Sequence, residues 1–311
     1  MSAIAAVRAA NKKLTLDGKH AVVVGGTSGI GHGIAVRLAQ AGANVSIVGR
    51  SKERGEKICK EMEEKAPRRE DGSSPVNKFR FLPCDCFSLA DVKSTAEKIK
   101  ADTPTLDILV CTQGMATLQG FTPTDEGLDQ KLTLHVFSRA AFVHHLRESM
   151  MSSTDPRFFT VLSAGIHGSY ANYENDPELS QGTYSLKNAA DAAGFYNDII
   201  CTEWSKSFAP ISFMHAAPGF VATRWGTEMP APVRWLCRAM QAIGGRSQED
   251  NAEYMFRALA NPALKGPGFH LVDQYGDAST SKLTKLHEKA KDLIIGKIEA
   301  IVEAGRSVAS S

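Results

Sequence analysis

No apolar run in this chain reaches the ~18 residues that a transmembrane helix needs, and neither charge is in excess. There are 36 Lys and Arg against 34 Asp and Glu, a formal net charge of +2. The first absence argues against an integral membrane segment. The second argues against nucleic acid as a partner, because that binding draws on a surplus of cations to neutralise phosphates. Cysteine is sparse and scattered, at positions 59, 84, 86, 111, 201 and 237. With no secretory signal at the start of the sequence, reduced thiols and a cytoplasmic protein are expected. Cys84-x-Cys86 is too closely spaced for the C-x-x-C zinc or redox pattern, so no metal is expected. No internal repeat is present, and no acid precedes Asp17 in MSAIAAVRAANKKLTL. Organelle import peptides share that bias. Serine is scarce and the basic residues are few, so residues 1–15 are expected to form a short amphipathic arm packed on the domain.

With 311 residues, 43% of them hydrophobic, the chain can bury one large α/β core. Its organising stretch is AVVVGGTSGIGHGIAVRLAQAGANVSIVGRS, residues 21–51. Ala21 to Val24 reads as a buried strand, and Ile30, Ile34, Val36, Leu38 and Ala41 fall at helical spacing; Val45 to Val48 reads as a second strand. This β-α-β unit opens on a glycine-rich turn, where backbone N–H groups and a positive helix N-terminus suit a pyrophosphate. Gly25 permits the tight turn, Gly29 lets backbone approach phosphate, and Gly31 lets the helix pack close on the strand.

Further along, helices are expected over Glu53–Lys65, Leu89–Ala101, Leu128–Met150 and Tyr184–Phe208. Strands are expected at Phe79–Leu82, in LDILVCTQG, at Phe158–Leu162, at Ile211–Ala216 and at Phe269–Val272. APRREDGSSPVNK, residues 66–78, reads as a surface loop. His144 and His145 point about 100° apart on a helix and read as solvated or interfacial residues rather than ligands. Ser247 to Asp250 reads as a capping box. The chain closes on a charged amphipathic helix. Strands alternating with helices at this spacing argue for a parallel sheet covered on both faces.

The spacing Gly25-x-x-x-Gly29-Ile30-Gly31 after a strand resembles the short-chain dehydrogenase/reductase family, with Val24 where that family usually has threonine. The resemblance covers roughly residues 16–276 and implies a single-domain Rossmann fold. That fold is a doubly wound parallel sheet of about seven strands with helices on both faces, here followed by a C-terminal helical extension over 277–311. It also implies an oxidoreductase with a small-molecule substrate, working as a homodimer or homotetramer. The cofactor cradle it implies is Gly25, Thr27, Ser28, Gly29, Ile30 and Gly31. Gly114 at the end of the fourth strand joins it, in Thr112-Gln113-Gly114 where the family has Asn-Ala-Gly. Asp85 and Cys86 match the pair that meets adenine, and Pro218-Gly219-x-Val221-x-Thr223 matches the turn that holds the nicotinamide carboxamide. After Val48, an acid at position 49 would accept the ribose hydroxyls of NAD. Gly49 followed by Arg50 and Ser51 instead leaves room and charge for the 2′-phosphate of NADP.

The family's catalysis uses a serine to hold the carbonyl oxygen and a tyrosine to move its proton. A lysine lowers that tyrosine's pKa, and an asparagine holds a relay water. Ser163 and Tyr184 fall at the first two positions. The lysine position is ambiguous: the family spacing is Tyr-x-x-x-Lys, whereas here Lys187 stands one residue early and Asn188 occupies the lysine place. On a helix beginning at Tyr184 they would lie roughly 300° and 400° around from it, so either is a candidate for the ribose contact. His135 falls at the asparagine position and is expected to titrate near 6.5. The implied function is NADP-dependent interconversion of a carbonyl and an alcohol on a small apolar substrate. A lyase, isomerase or cyclase using Ser163, Tyr184 and His135, or a dinucleotide-binding protein without turnover, remains the alternative. Residues 226–245, with Met229, Trp235, Leu236, Met240 and Ile243, are expected to form a lid over the substrate.

Overall fold

The computed structural model describes residues 2–68, 77–223 and 229–308. Parts of two sequence features, the loop at 66–78 and the start of the lid segment, therefore lie outside the described residues. Among the described residues, seven parallel strands form one sheet in the order β3-β2-β1-β4-β5-β6-β7. They are β1 His20–Val24, β2 Asn44–Gly49, β3 Phe79–Pro83, β4 Ile108–Cys111, β5 Arg157–Val161, β6 Ser212–Ala216 and β7 Gly268–Val272. The helices are α1 Ala3–Asn11, α2 Gly29–Gln40, α3 Lys52–Lys65, α4 Leu89–Asp102, α5 Gln130–Leu132, α6 Ser138–Met151, α7 Leu186–Ser207, α8 Ala231–Gly244, α9 Gln248–Leu259 and α10 Lys285–Ala304.

Both faces of the sheet are buried, which is why its strands read as unbroken apolar runs. In β1, Val22 and Val24 join one core cluster while Ala21 and Val23 join the other. The first cluster lies under α4, α6, α7 and α10, the second under α2, α3 and α9. The arm α1 packs on α9: Asn11 Nδ2 donates to the Glu253 backbone carbonyl at 2.8 Å, and Arg8 pairs with Asp250 at 2.7 Å. Ile294, Ile298 and Ile301 of α10 are part of the first core.

Two departures from the sequence reading bear on function. The single helix expected over Leu128–Met150 is interrupted by a π-helical turn at Thr133–Phe137, between α5 and α6. Such turns insert one residue into the helical register, and this one carries His135. The helix expected to begin at Tyr184 instead begins at Leu186. Ser185 is its N-cap, in extended backbone (φ −148°, ψ 159°), and its side chain accepts from Asn188 N–H. Serine satisfies a free helix N–H where tyrosine cannot, so the helix starts after Ser185 and Tyr184 stands off it.

Candidate active site

Strand order reverses between β1 and β4, and ligands of open α/β sheets bind in the crevice beyond the carboxyl ends of strands at such a point. A cavity of about 600 Å³ lies there. Every cofactor residue named from the sequence lines it except Ser51, whose side chain instead caps α3 by accepting from Arg54 N–H.

The glycines at its mouth are held by contact. Gly25 has φ +81°. A Cβ on Gly31 would sit 2.4 Å from Thr112 Oγ1 and 2.5 Å from the Gly25 carbonyl oxygen. Thr112 itself donates to the Val24 carbonyl at 2.9 Å, which ties the turn to β4. A Cβ on Gly49 would lie 2.8 Å from the Thr27 side chain, so the position has no room for a carboxylate, and Arg50 lines the cavity next to it. The Arg50 guanidinium lies 5.4 Å from the centre of the Phe87 ring. Asp85 also turns the chain, accepting from Phe87 N–H at 3.1 Å. In the turn at Pro218–Thr223, whose last residue approaches Gly29, Gly219 has φ +72°, and Asn251 Nδ2 holds the Pro218 carbonyl at 2.8 Å.

At the inner end, His135 is the only catalytic candidate from the sequence that lines the cavity, among the described residues. Its Nε2 accepts from Met115 N–H at 3.1 Å, and a Cβ on Gly114 would lie 2.8 Å from that nitrogen. Burial, assisted by Arg139 and Lys131, pulls its pKa down to about 3. The expectation of a titration near 6.5 is therefore corrected: His135 is a neutral acceptor. One turn on, Arg139 is fully buried and donates to Thr160 Oγ1, to the Val161 carbonyl and to the Gln113 carbonyl, at 2.6, 3.0 and 2.6 Å. It thereby clamps the ends of β4 and β5.

Ser163 follows β5 and keeps a buried hydroxyl with no hydrogen-bond partner among the described residues. Its N–H donates to His215 Nε2 at 3.1 Å, and His215 Nδ1 in turn lies 2.6 Å from Asp198 Oδ1. The other Asp198 oxygen accepts from His167 Nε2 at 3.0 Å, while His167 Nδ1 donates to the Gly168 carbonyl. With both nitrogens donating, His167 is an imidazolium. Burial pulls its pKa down, but the Asp198 carboxylate and the Gly168 carbonyl outweigh that and raise it. His167, Asp198 and His287 are close enough to surround a cation, but the tautomer is unfavourable. Thr284 N–H donates to His287 Nδ1 at 3.0 Å, which places the ring proton on the Nε2 that faces Asp198.

Tyr184 is not where the helical wheel put it, and neither candidate neighbour reaches its hydroxyl. The Lys187 side chain is 80% exposed and pairs with Asp191; Asn188 Nδ2 is bound to the Thr183 carbonyl at 2.7 Å. The Tyr184 hydroxyl instead accepts from Lys131 Nζ at 3.0 Å, and its ring meets Phe121 edge-on. Lys131 was missed because it lies 53 residues upstream, in a segment whose pattern signals only a helix. Burial first, then the Asp129 carboxylate, raise the Tyr184 pKa above its ordinary value.

The profile of the family described as "short chain dehydrogenase" matches residues 19–172. The chain is 29% identical over 231 residues to the oxidoreductase andH of Emericella variicolor, spanning 72% of this chain and 64% of that one. It is 28% identical over 275 residues to polyprenol dehydrogenase of Mus musculus, spanning 81% of this chain and 74% of that one. Among solved structures it resembles a short-chain type dehydrogenase/reductase from Mycobacterium marinum, with TM-score 0.60, 17% identity, and 84% and 96% of the two chains covered. It also resembles an alcohol dehydrogenase from Thermococcus sibiricus complexed with 5-hydroxy-NADP, with TM-score 0.58, 17% identity, and 86% and 98% covered.

Proposed function

The chain belongs to the short-chain dehydrogenase/reductase family, and from that premise we propose that it is an NADP(H)-dependent oxidoreductase interconverting a carbonyl and an alcohol on a small apolar substrate. The observation that carries the cofactor choice is the pairing of Gly49, with no space for an acid, and Arg50 at the cavity wall. A carboxylate there would repel a 2′-phosphate, whereas a guanidinium can pair with it through two parallel hydrogen bonds. The residues present fit the dinucleotide: backbone at Gly25 to Gly31 for the pyrophosphate, Asp85 and Cys86 for adenine, and the Pro218–Thr223 turn for the carboxamide.

When bound, the nicotinamide supplies or takes up a hydride. Neither Ser163 nor Tyr184 lines the cavity: Ser163, whose hydroxyl has no partner among the described residues, directly follows the cavity-lining Leu162 and is assigned to the substrate oxygen, and Tyr184 is assigned to that oxygen's proton. Met115, Leu134, Leu162, Ile166 and Phe220 line the cavity, which favours an apolar compound over a charged one. In α8, Trp235, Leu236 and Met240 are exposed, and this apolar face closes over the substrate as a lid.

The reading is tested by titrating the purified protein with NADPH and NADH and following NADPH absorbance with a panel of apolar ketones and aldehydes. Tighter NADPH binding and carbonyl-dependent loss of absorbance are expected. Equal affinities would remove the cofactor assignment, and silence across the panel would favour the non-redox alternative.

A further inference from the structure

We propose that Lys131 is the catalytic cation of this active site, acting on Tyr184 from α5 in the place that neither residue of the Lys187-Asn188 pair takes. The proposal deepens the oxidoreductase reading and rests on it, but its test does not require turnover. Lys131 is 6% exposed and stands in no ion pair among the described residues; burial lowers its pKa, and the charge of Asp129 works against that fall. The nearby Asp129 carboxylate is committed to backbone, accepting from the N–H groups of Lys131, Leu132 and Thr122. A buried ammonium without a carboxylate partner is costly, and the groups that Lys131 Nζ does meet are the Gln119 carbonyl at 2.6 Å and the Tyr184 hydroxyl at 3.0 Å. Two of its three protons are thereby used.

The direction of the second bond is what matters. Nζ can only donate, so the Tyr184 oxygen accepts, and the phenol's own proton points away from Lys131. A buried hydroxyl that accepts from an ammonium gives up its proton more readily than the same hydroxyl without it, because the anion left behind is already paired, and this pairing opposes the rise that burial and the Asp129 carboxylate impose on Tyr184. In carbonyl reduction the proton leaves Tyr184 Oη for the substrate oxygen while the hydride reaches the carbonyl carbon. The O–H bond of Tyr184 breaks and a new O–H bond forms on the product. The phenolate then faces the ammonium until solvent restores its proton, and oxidation of the alcohol runs through the same groups in reverse. Position supports the role. Tyr184 precedes the N-cap of α7 and so is free to turn toward α5, and Phe121 braces its ring. Lys131 stands four residues before His135, about one helical turn from a side chain that lines the cavity.

The test replaces Tyr184 with a fluorinated tyrosine, whose lower intrinsic pKa keeps the titration within the range of the intact fold, and follows its fluorine resonance with pH. In Lys131→Met, which keeps the aliphatic stem, the titration should move up by about 1 to 3 pH units. Lys131→Arg should restore it. Lys131→Gln, which keeps a donor without the charge, serves if the Met variant does not fold, and should shift in the same direction. For any carbonyl that the wild type reduces, Lys131→Met should lose at least tenfold in kcat at neutral pH while NADPH affinity stays unchanged. An unmoved fluorine titration in both uncharged variants overturns the proposal. A shifted titration in a protein that turns over no carbonyl upholds the pairing and overturns the oxidoreductase reading alone.

Discussion

At the glycine turn the backbone itself is the binding surface, whereas around Tyr184 the chemistry depends on side chains brought together from distant parts of the chain. Gly25, Gly31 and Gly49 are constrained by neighbours within 3 Å of any Cβ they could carry, and all three belong to the first β-α-β unit. The Tyr184 hydroxyl is set by Lys131, and the Ser163 N–H by His215. The first arrangement tolerates almost no substitution. The second can exchange one residue for another at a different point of the fold, provided the charge arrives at the same atom.

The largest effect expected from this contrast is at the turn. Gly31→Ala places a methyl against the Gly25 carbonyl and Thr112, one of them rigid backbone. Overpacking of this kind costs about 1 to 3 kcal/mol. Because the strain falls on the phosphate-binding turn, dinucleotide affinity should fall by up to about 150-fold. Isothermal titration with NADPH measures it, and retained affinity would show that the turn yields more than its contacts imply. Next in size is Arg50→Ala. Loss of a charge-assisted hydrogen bond removes about 1.5 to 3 kcal/mol, so the preference for NADPH over NADH should drop roughly tenfold to a hundredfold, with NADH affinity unchanged.

The same contrast explains how much was legible. Strand positions, the parallel sheet and the cofactor cradle could be read because each depends on residues within about thirty of one another or on burial of both sheet faces. The reacting end could be read only as residue types. Ser185 is itself a local N-cap signal that moves the helix start past the expected Tyr184, whereas nothing in a polar Gln130-Lys131 pair announces a partner 53 residues away. Arg139 was passed over for a related reason. In sequence it looks like a solvated residue on an amphipathic helix, and only the π turn and the ends of β4 and β5 turn it inward.

A third prediction concerns pH. His135 is neutral in the fold with its pKa held at about 3, mainly by burial, whereas an unfolded histidine titrates near 6.5. Below that value the unfolded chain binds the extra proton and the folded one does not. The contribution of His135 to stability is therefore most favourable above about pH 6.5 and declines toward pH 3, a loss of about 2 kcal/mol by pH 5. His215, also lowered chiefly by burial, acts in the same direction, while His167, whose pKa is raised, acts in the opposite one. His135→Asn keeps an acceptor for Met115 N–H and removes the titration. Urea midpoints measured at pH 7.5 and pH 5 should lie closer together in the variant than in the wild type. An unchanged gap would assign the acid sensitivity to the other histidines.

The smallest effect is expected at the residue that the sequence made most prominent. Lys187 lies on the exposed face of α7, and its ammonium pairs with Asp191 at i,i+4. Exposed pairs of this kind contribute about 0 to 1 kcal/mol, because solvent screens them and the side chains lose freedom on pairing. Asp191 retains its bond to Gly168 N–H at 2.9 Å when the lysine is gone, so the loop before Tyr184 keeps its anchor. Lys187→Ala should therefore move the urea midpoint slightly and change kcat less than twofold, and the kinetics should be compared directly with those of Lys131→Met. If Lys187→Ala proves the more damaging of the two, the side chain must leave Asp191 when the dinucleotide binds and swing toward the ribose. Tyr184 would then take its charge from α7 after all, and Lys131 would be left with the structural task of holding the Gln119 carbonyl.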